Sequence, residues 1–326
     1  MSTNASLVDY RSAAEKVPDD ALLGSLVTFS IIAADINLDV AREQLVALGL
    51  DTKALRKRLR PVDAFRKATR ELERSFKVED GVQLNLHVVQ LGQDDESSRR
   101  HVTAQRISTR KGERERVIYD HSAEIVFTRA TGEVTFVRRH PPGLDLTEEQ
   151  EQWLQSGLEA LSERYAHWCT HLDSHAVRTY VRDTLSALNA ILVKSTGGLY
   201  FVRQSHRTTV AALREWVRGQ GSEFDTIPLL DLVDQREMLA RAFEEEAVAE
   251  VERLSGEIDK ILSEPDRRVK STTVEDYLSR YAELSVKAED TADMLSIRSE
   301  IATKQIAAFK KRAMSLMDRV DTGTAA

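Results

Sequence analysis

One stretch organises the predicted fold: residues 174–218, with the sequence SHAVRTYVRDTLSALNAILVKSTGGLYFVRQSHRTTVAALREWVR. Its first part predicts a helix, because an apolar stripe recurs at helical spacing: Val177, Val181, Leu185, Leu188, Ile191 and Leu192. Two short runs rich in β-branched and aromatic residues follow, on either side of a turn at 195–198 that contains a glycine pair. Glycine tolerates the positive φ angles of a tight hairpin turn. The stretch therefore predicts a helix, a wing-like β-hairpin and a second helix.

The sequence before this stretch predicts an α+β domain over 21–140. Its first element is a strand at 26–32. Asn37 then has the side chain of a good N-cap for a helix. A second helix is predicted over 61–76, because its first residue is a proline, which is suited to that position. The N-terminal domain therefore begins as a strand followed by two helices.

An antiparallel meander completes this N-terminal domain. The apolar period changes to two after Gly81, so that Val82, Leu84 and Leu86 share one face of a strand. Further β-rich runs follow, and the pair Thr131-Gly132 predicts a hairpin turn between two of them.

The sequence after residue 140 predicts a mainly helical protein. Pro-Pro-Gly at 141–143 marks the domain boundary. The helical domain, 146–234, contains the wing-like hairpin and begins with a capping box of Thr147 and Gln150. This first helix is predicted to end at about His171.

A long helical hairpin is predicted at 235–320, with flexible segments at 1–20 and 321–326. Its first helix has an apolar seam with steps of four and three: Ala247, Val251, Leu254, Ile258 and Ile261. A second helix begins before Tyr277, and its seam continues in a similar phase to Leu316. Two such seams joined by a short loop predict an antiparallel coiled coil.

Composition restricts the class of protein. The 326 residues have a net charge of −7 and one cysteine, Cys169. This charge gives no general attraction to nucleic acid or to anionic membranes, and a lone cysteine excludes an internal disulfide. The start of the chain does not have the pattern of a signal peptide, and the longest mostly apolar run, 26–34, is too short to span a bilayer. We expect a soluble, cytoplasmic protein with no membrane partner.

Common catalytic motifs are missing from the sequence. It contains neither of the glycine motifs that bind nucleotides, GxxxxGK[ST] and GxGxxG after a strand, and no GxSxG nucleophile motif. We therefore predict that the protein is not an enzyme and has no cofactor.

The helix and hairpin of 174–218 are the first candidate binding site. In a winged helix, the helix before the hairpin enters the major groove of DNA and the wing contacts the backbone. The side chains expected to contact phosphates are Arg178, Arg182, Lys194, Arg203 and Arg207. The alternative is a surface hairpin packed on helices, with these cations simply solvated. DNA is the expected partner in the first case.

A basic run within the meander is the second candidate. Arginines are frequent from Arg99 to Arg139, and aromatic residues such as Phe127 lie between them, as on sheets that bind single strands. Acidic residues including Glu124 and Glu133 alternate with the arginines. Cross-strand ion pairs on a solvated sheet face explain the same pattern, and we favour that interpretation.

The segment HWCTHLDSH, 167–175, places histidines at every fourth residue: His167, His171 and His175. Two histidines at i and i+4 of a helix can share a metal ion. The glutamate that follows the first histidine in HExxH is absent, however, and there is no second cysteine for a structural zinc site. We predict that the protein has no metal site.

The segments GGLYFVRQSHRTTVAAL, SEFDTIPLLD and REMLARAFEEE resemble an uncharacterised protein family of actinobacteria and their bacteriophages. The resemblance runs from about residue 26 to residue 262, and it implies a small cytoplasmic accessory protein rather than any particular activity. We predict a non-enzymatic protein that binds nucleic acid in replication, recombination or regulation. The alternative is a structural protein that self-associates, or binds protein partners, through 235–320.

Overall fold

The structure is a computed structural model that describes residues 18, 21–79, 82–108, 118–139, 146–194, 196, 198–264 and 267–320. The strands are β1 (Leu22–Ser30), β2 (Asp35–Asn37), β3 (Arg74–Glu79), β4 (Val82–Gln93), β5 (Ser97–Ser108), β6 (Ile118–Thr128), β7 (Glu133–Arg138), β8 (His171–Asp173), β9 (Ile191–Lys194), β10 (Leu199–Arg203) and β11 (Glu223–Leu230). The helices are α1 (Leu38–Ala47), α2 (Pro61–Arg70), α3 (Glu148–Glu159), α4 (Leu161–Thr170), α5 (Ser174–Ala187), α6 (Arg207–Gly219), α7 (Val233–Ser263), α8 (Ser271–Leu295) and α9 (Glu300–Ser315). The predicted α+β class is confirmed.

The chain divides into two compact units. The terminal unit contains the described residues of three segments: Met1–Ala34, Leu45–Ala54 and Val177–Ala326. The central unit contains those of two segments: Asp35–Gln44 and Leu55–Ala176. This grouping differs from the predicted division into 21–140, 146–234 and 235–320, because β1 pairs with β10 and β11 and not with the meander.

The terminal unit has a four-stranded antiparallel sheet in the order β11-β1-β10-β9. The predicted hairpin is present as β9 and β10, and β1 pairs with the other edge of β10, so the hairpin is one side of this sheet. Ile191 and Leu192 were wrongly included in the stripe of the preceding helix, because they belong to β9 and pair with β10. Gly198 has a φ of +62°, as expected for a turn residue. Ser195 and Gly197, which belong to the same predicted turn, lie outside the described residues.

Helices α7, α8 and α9 pack within the terminal unit. The predicted seam of α7 is buried, with Leu254 and Ile258 in one apolar cluster with Phe309 of α9. The second predicted arm is divided into two helices, because Ser296 ends α8 with a left-handed φ of 54°. The hydroxyl of Ser299 then caps α9.

The central unit contains the predicted meander, in the order β3-β4-β5-β6-β7. Val82, Leu84 and Leu86 are buried, as their alternation predicted. The predicted helix at 61–76 begins correctly at Pro61 but ends at Arg70, so its last part was wrong. Residues 74–79 are β3 instead, because pairing with β4 outweighs their helix propensity.

Two predicted helix starts are confirmed in the central unit. The Asn37 side chain accepts a hydrogen bond from the backbone N–H of Asp39 at 3.0 Å. Thr147 and Gln150 form the expected capping box. The single helix predicted from there to His171 was wrong, because it is divided at residue 160 into α3 and α4.

Three predictions fall on other parts of the chain. The proposed boundary at 141–143 and the flexible segments 1–20 and 321–326 lie outside the described residues, Pro18 excepted. Among the helices that the structure describes, none combines the length and apolar character needed to cross a membrane.

Candidate nucleic-acid interface

A groove of about 340 Å³ lies beside α6 in the terminal unit. Its polar lining comes from β1, β10, α6 and β11: Ser25, Arg203, Arg207, Thr208, Arg214 and Thr226. We call this feature the arginine groove. No aspartate or glutamate is among the described residues that line it. The described lining of the groove therefore carries three arginine charges, although the chain as a whole carries a charge of −7.

Strand order brings the first arginine to the groove. β1 lies between β10 and β11, with Gly24 opposite Arg203. A single 3₁₀ turn, Gln204–His206, connects Arg203 to the start of α6 at Arg207. This short connection keeps the two arginines close together, and both line the groove.

The helical repeat brings the third arginine. Arg207 and Arg214 are seven residues apart, which is about two turns of 3.6 residues, so they share one face of α6. The other face contains Leu213, Trp216 and Val217, which are buried. Burial of that apolar face fixes which side of α6 is directed at the groove.

Hydrogen bonds position the guanidinium groups of Arg203 and Arg214. Arg203 is half-buried, and its Nη2 donates to the backbone carbonyl of Asp290 in α8. The Nη1 of Arg214 donates to the Thr226 hydroxyl at 3.4 Å. Arg207 is exposed. The groove thus combines two arginines that are held by hydrogen bonds to α8 and β11 with an exposed arginine at the start of α6.

Two predicted phosphate contacts on α5 lie away from the groove. The Nη2 of Arg178 donates to the carbonyl of Ile31 at 3.2 Å, just beyond the end of β1. Seven residues of extended chain separate Ile31 from Gly24, the partner of Arg203, which is about 23 Å. Arg182 is exposed one turn further along α5. These side chains do not converge with Arg203.

Lys194 does not line the groove either, whereas Arg214, which was not predicted, does. Lys194 is exposed and pairs with Leu199, four residues along β10 from Arg203. Of the five predicted contacts, the structure therefore brings together Arg203 and Arg207. Arg214 is the missed member of the groove. Its spacing of seven from Arg207 on an amphipathic helix was the available signal.

The basic meander does not present all its arginines to solvent. Arg100 is 7% exposed and donates to the Thr69 hydroxyl beneath the sheet. Burial lowers the pKa of Arg100 from its usual value. Arg139 pairs with Glu124 of β6 at 2.7 Å, which is an ion pair of the kind favoured above. The cations at 110–116 lie outside the described residues.

The three histidines of 167–175 are not on one helix. α4 ends at Thr170, and His171 begins β8. His175 is exposed in α5. His167 and His171 nevertheless remain neighbours, and Asp35 of β2 joins them. Among the described residues, this is the cluster suited to hold a metal ion.

Comparison with known proteins gives one match. A family model described as a family of unknown function (DUF6744) matches residues 22–322 of the chain. The comparisons with curated proteins and with solved structures gave no match.

Proposed function

Because the chain belongs to the DUF6744 family, a family of unknown function, we propose its function from the arginine groove itself. The protein is a non-enzymatic accessory protein that binds nucleic acid, and the groove contacts the phosphate backbone. One observation carries this proposal: Arg203, Arg207 and Arg214 line a single groove that has no carboxylate among its described lining residues.

The chemistry of the groove matches a phosphate diester. Guanidinium groups form paired, charge-assisted hydrogen bonds to phosphate oxygens. The hydroxyls of Thr208, Thr226 and Ser25 supply further donors. The groove also lies at the N-terminal end of α6, where the helix dipole favours an anion. Contacts of this type position a nucleic acid without reading its sequence.

The accessory role rests on the sequence. The common nucleotide-binding and nucleophile motifs are missing, and the resemblance to proteins of actinobacteria and their bacteriophages fits a role in replication, recombination or regulation. The wing-like hairpin β9–β10 would then support the groove through Arg203, the last residue of β10.

The alternative function, self-association through 235–320, has less support. It requires that apolar positions of the seam are exposed in the single chain. The seam residues of α7 are instead buried within the same chain, including Ala247, Val251 and Ile258. A coiled-coil partner would have to displace these internal contacts.

The test is a fluorescence anisotropy titration with labelled single-stranded and double-stranded DNA at low and physiological salt. We expect a Kd on the order of 10 μM at low salt. For three phosphate contacts on a duplex, log K should fall against log salt with a slope of about −2.7. The double variant Arg207→Glu/Arg214→Glu should weaken binding by at least about tenfold, because it reverses two charges in the groove.

The matched control is Arg182→Glu, which reverses an exposed charge on α5 outside the groove. This variant should bind nearly as well as the unchanged chain. Arg203 is not the first choice for substitution, because it also holds the carbonyl of Asp290. Absence of binding at low salt, or an equal loss in the control, would refute the proposal.

A further inference from the structure

Asp35, His167 and His171 form a cluster of ligand-type side chains in the central unit. Asp35 lies on β2, His167 in the last turn of α4, and His171 at the start of β8. β2 pairs with β8, and Asn37 lies opposite His171. One ligand atom from each of the three side chains lies within 4.8 Å of the others. We propose that these three residues bind one first-row divalent metal ion, for which Zn²⁺ is the best match.

The donor set supports this class of ion. Two imidazoles and one carboxylate are the protein ligands of many zinc sites that keep coordination positions for water. Ligand atoms on one ion with bonds of about 2.1 Å are roughly 3–4 Å apart. The Nε2 of His167 and the Oδ1 of Asp35 are already 2.8 Å apart. Modest side-chain shifts therefore bring all three donors onto one ion.

The hydrogen bonds of His171 prepare one of its ring nitrogens for the metal. The Nδ1 of His171 lies 3.0 Å from the backbone carbonyl of His167. A carbonyl only accepts, so in the tautomer that makes this hydrogen bond Nδ1 carries the proton and Nε2 carries the lone pair that a metal requires. The Thr170 hydroxyl also lies 3.0 Å from Nδ1. Donation from the second ring nitrogen to a carbonyl is the usual support of a histidine ligand.

The backbone that carries His171 is fixed from both sides. The Nη2 of Arg56 donates to the His171 carbonyl at 2.9 Å. Lys67 pairs with Asp173 at the other end of β8. The position of His171 is therefore set before an ion arrives, which lowers the cost of assembling the site.

The two imidazoles are stacked, with ring centroids 3.9 Å apart and planes 15° from parallel. Parallel rings do not direct their lone pairs at one point, so one ring must turn as the ion binds. The movement falls on His167, since His171 is held through Nδ1. The side chains of His167 and Asp35 are 33% and 60% exposed, which leaves coordination positions open to water.

The test uses the full chain, freed of metal by a chelator. Titration with Co²⁺, followed by visible absorption, should saturate at one ion per chain, and calorimetry with Zn²⁺ should give the same stoichiometry. Asp35→Asn and His171→Gln should each weaken binding at least about tenfold. His175→Gln is the matched control, because His175 lies outside the cluster, and it should bind as the unchanged chain does.

A second measurement separates binding from folding. Saturating Zn²⁺ should raise the Tm of the unchanged chain and of His175→Gln by a few degrees, and of neither ligand variant. Asp35→Asn removes only the charge of an exposed side chain, so it covers the case in which His171→Gln fails to fold. Equal affinity in all variants, no saturable binding, or a thiolate-to-cobalt band that disappears in Cys169→Ser would each overturn the proposal.

Discussion

Asp173 shows how single residues organise the central unit. It ends β8, and its carboxylate accepts hydrogen bonds from Lys67 and from the backbone N–H of Ala176, the latter at 2.8 Å. Burial alone would raise the pKa of Asp173. The hydrogen bonds from Lys67 and Ala176, with the attraction of Lys67 and Arg56, outweigh burial and lower this pKa below its usual value.

The lowered pKa of Asp173 predicts how the stability of the protein depends on pH. Asp173→Asn should lower the free energy of unfolding by about 1.5–3 kcal/mol at pH 7, because charge-assisted hydrogen bonds are lost. The stabilisation is present above the unfolded-state pKa of about 3.9 and disappears as pH falls through the lower folded value. Urea unfolding should therefore show the difference shrinking below about pH 4.

The control for this prediction is Asp183→Asn, which neutralises an exposed aspartate on α5. It should change stability little at any pH. If Asp173→Asn had the same effect at pH 7 and pH 3, the carboxylate of Asp173 would not provide the charge-dependent part of this stabilisation.

At the residue scale, site residues that are close along the chain could be predicted from the sequence. Site residues that only tertiary structure brings together could not. Arg203 and Arg207 are four residues apart, and both line the groove. Arg178 was expected beside them, but β1 places it at the far end of the sheet. Asp35 lies 132 residues before His167, so no local spacing could join it to the histidines.

At the element scale, β1 and β10 approach each other closely at Gly24. A Cβ atom added there would lie 2.0 Å from the Val202 carbonyl oxygen. Gly24→Ala should therefore force the strands apart and lower the free energy of unfolding by about 3 kcal/mol. It should also weaken nucleic-acid binding, because Gly24 lies opposite Arg203. Urea unfolding and the anisotropy titration measure these two effects.

Gly219→Ala is the matched control for Gly24→Ala. Gly219 ends α6, and no atom lies within 4 Å of an added Cβ there. Alanine also favours a helix, so the control should be neutral or slightly stabilising. Similar losses in both variants would mean that the contact with Val202 is not responsible.

At the element scale, local signals were reliable where the chemistry is local. The cap at Asn37, the proline at 61 and the capping box at Thr147 are all confirmed. Predicted helix boundaries were wrong where contacts with distant segments determine the end of the helix. β3 forms because β4 supplies partners, and the break at Ser296 has no glycine or proline to indicate it.

The whole molecule depends on contacts between its first and last parts. Leu23, Phe201 and Leu229 of the sheet share one apolar cluster with Leu239 and Phe243 of α7. A chain that ends at residue 234 should therefore lose the cooperative unfolding of the terminal unit. Hydrogen exchange should show lost protection in β1 and β10, while the meander, which has its own core, keeps its protection.

A chain that ends at residue 320 is the control for this truncation. It retains every described helix and should behave as the full chain does. Full protection of β1 in the chain ending at residue 234 would contradict the prediction. The sequence could not predict this unit, because the composition change near 141–143 does not indicate that β1 pairs with β10 and β11.

The pairing of β1 with β11 also has a consequence for synthesis on the ribosome. β1 is made first, but its partner β11 ends at Leu230, 200 residues after Ser30. At 5–20 residues per second, β1 waits about 10–40 s for this partner. The segment that forms most of the central unit, 55–176, emerges during this delay. Nascent β1 is thus an apolar strand without its partners, and a chaperone that shields such segments should increase the yield of folded chain.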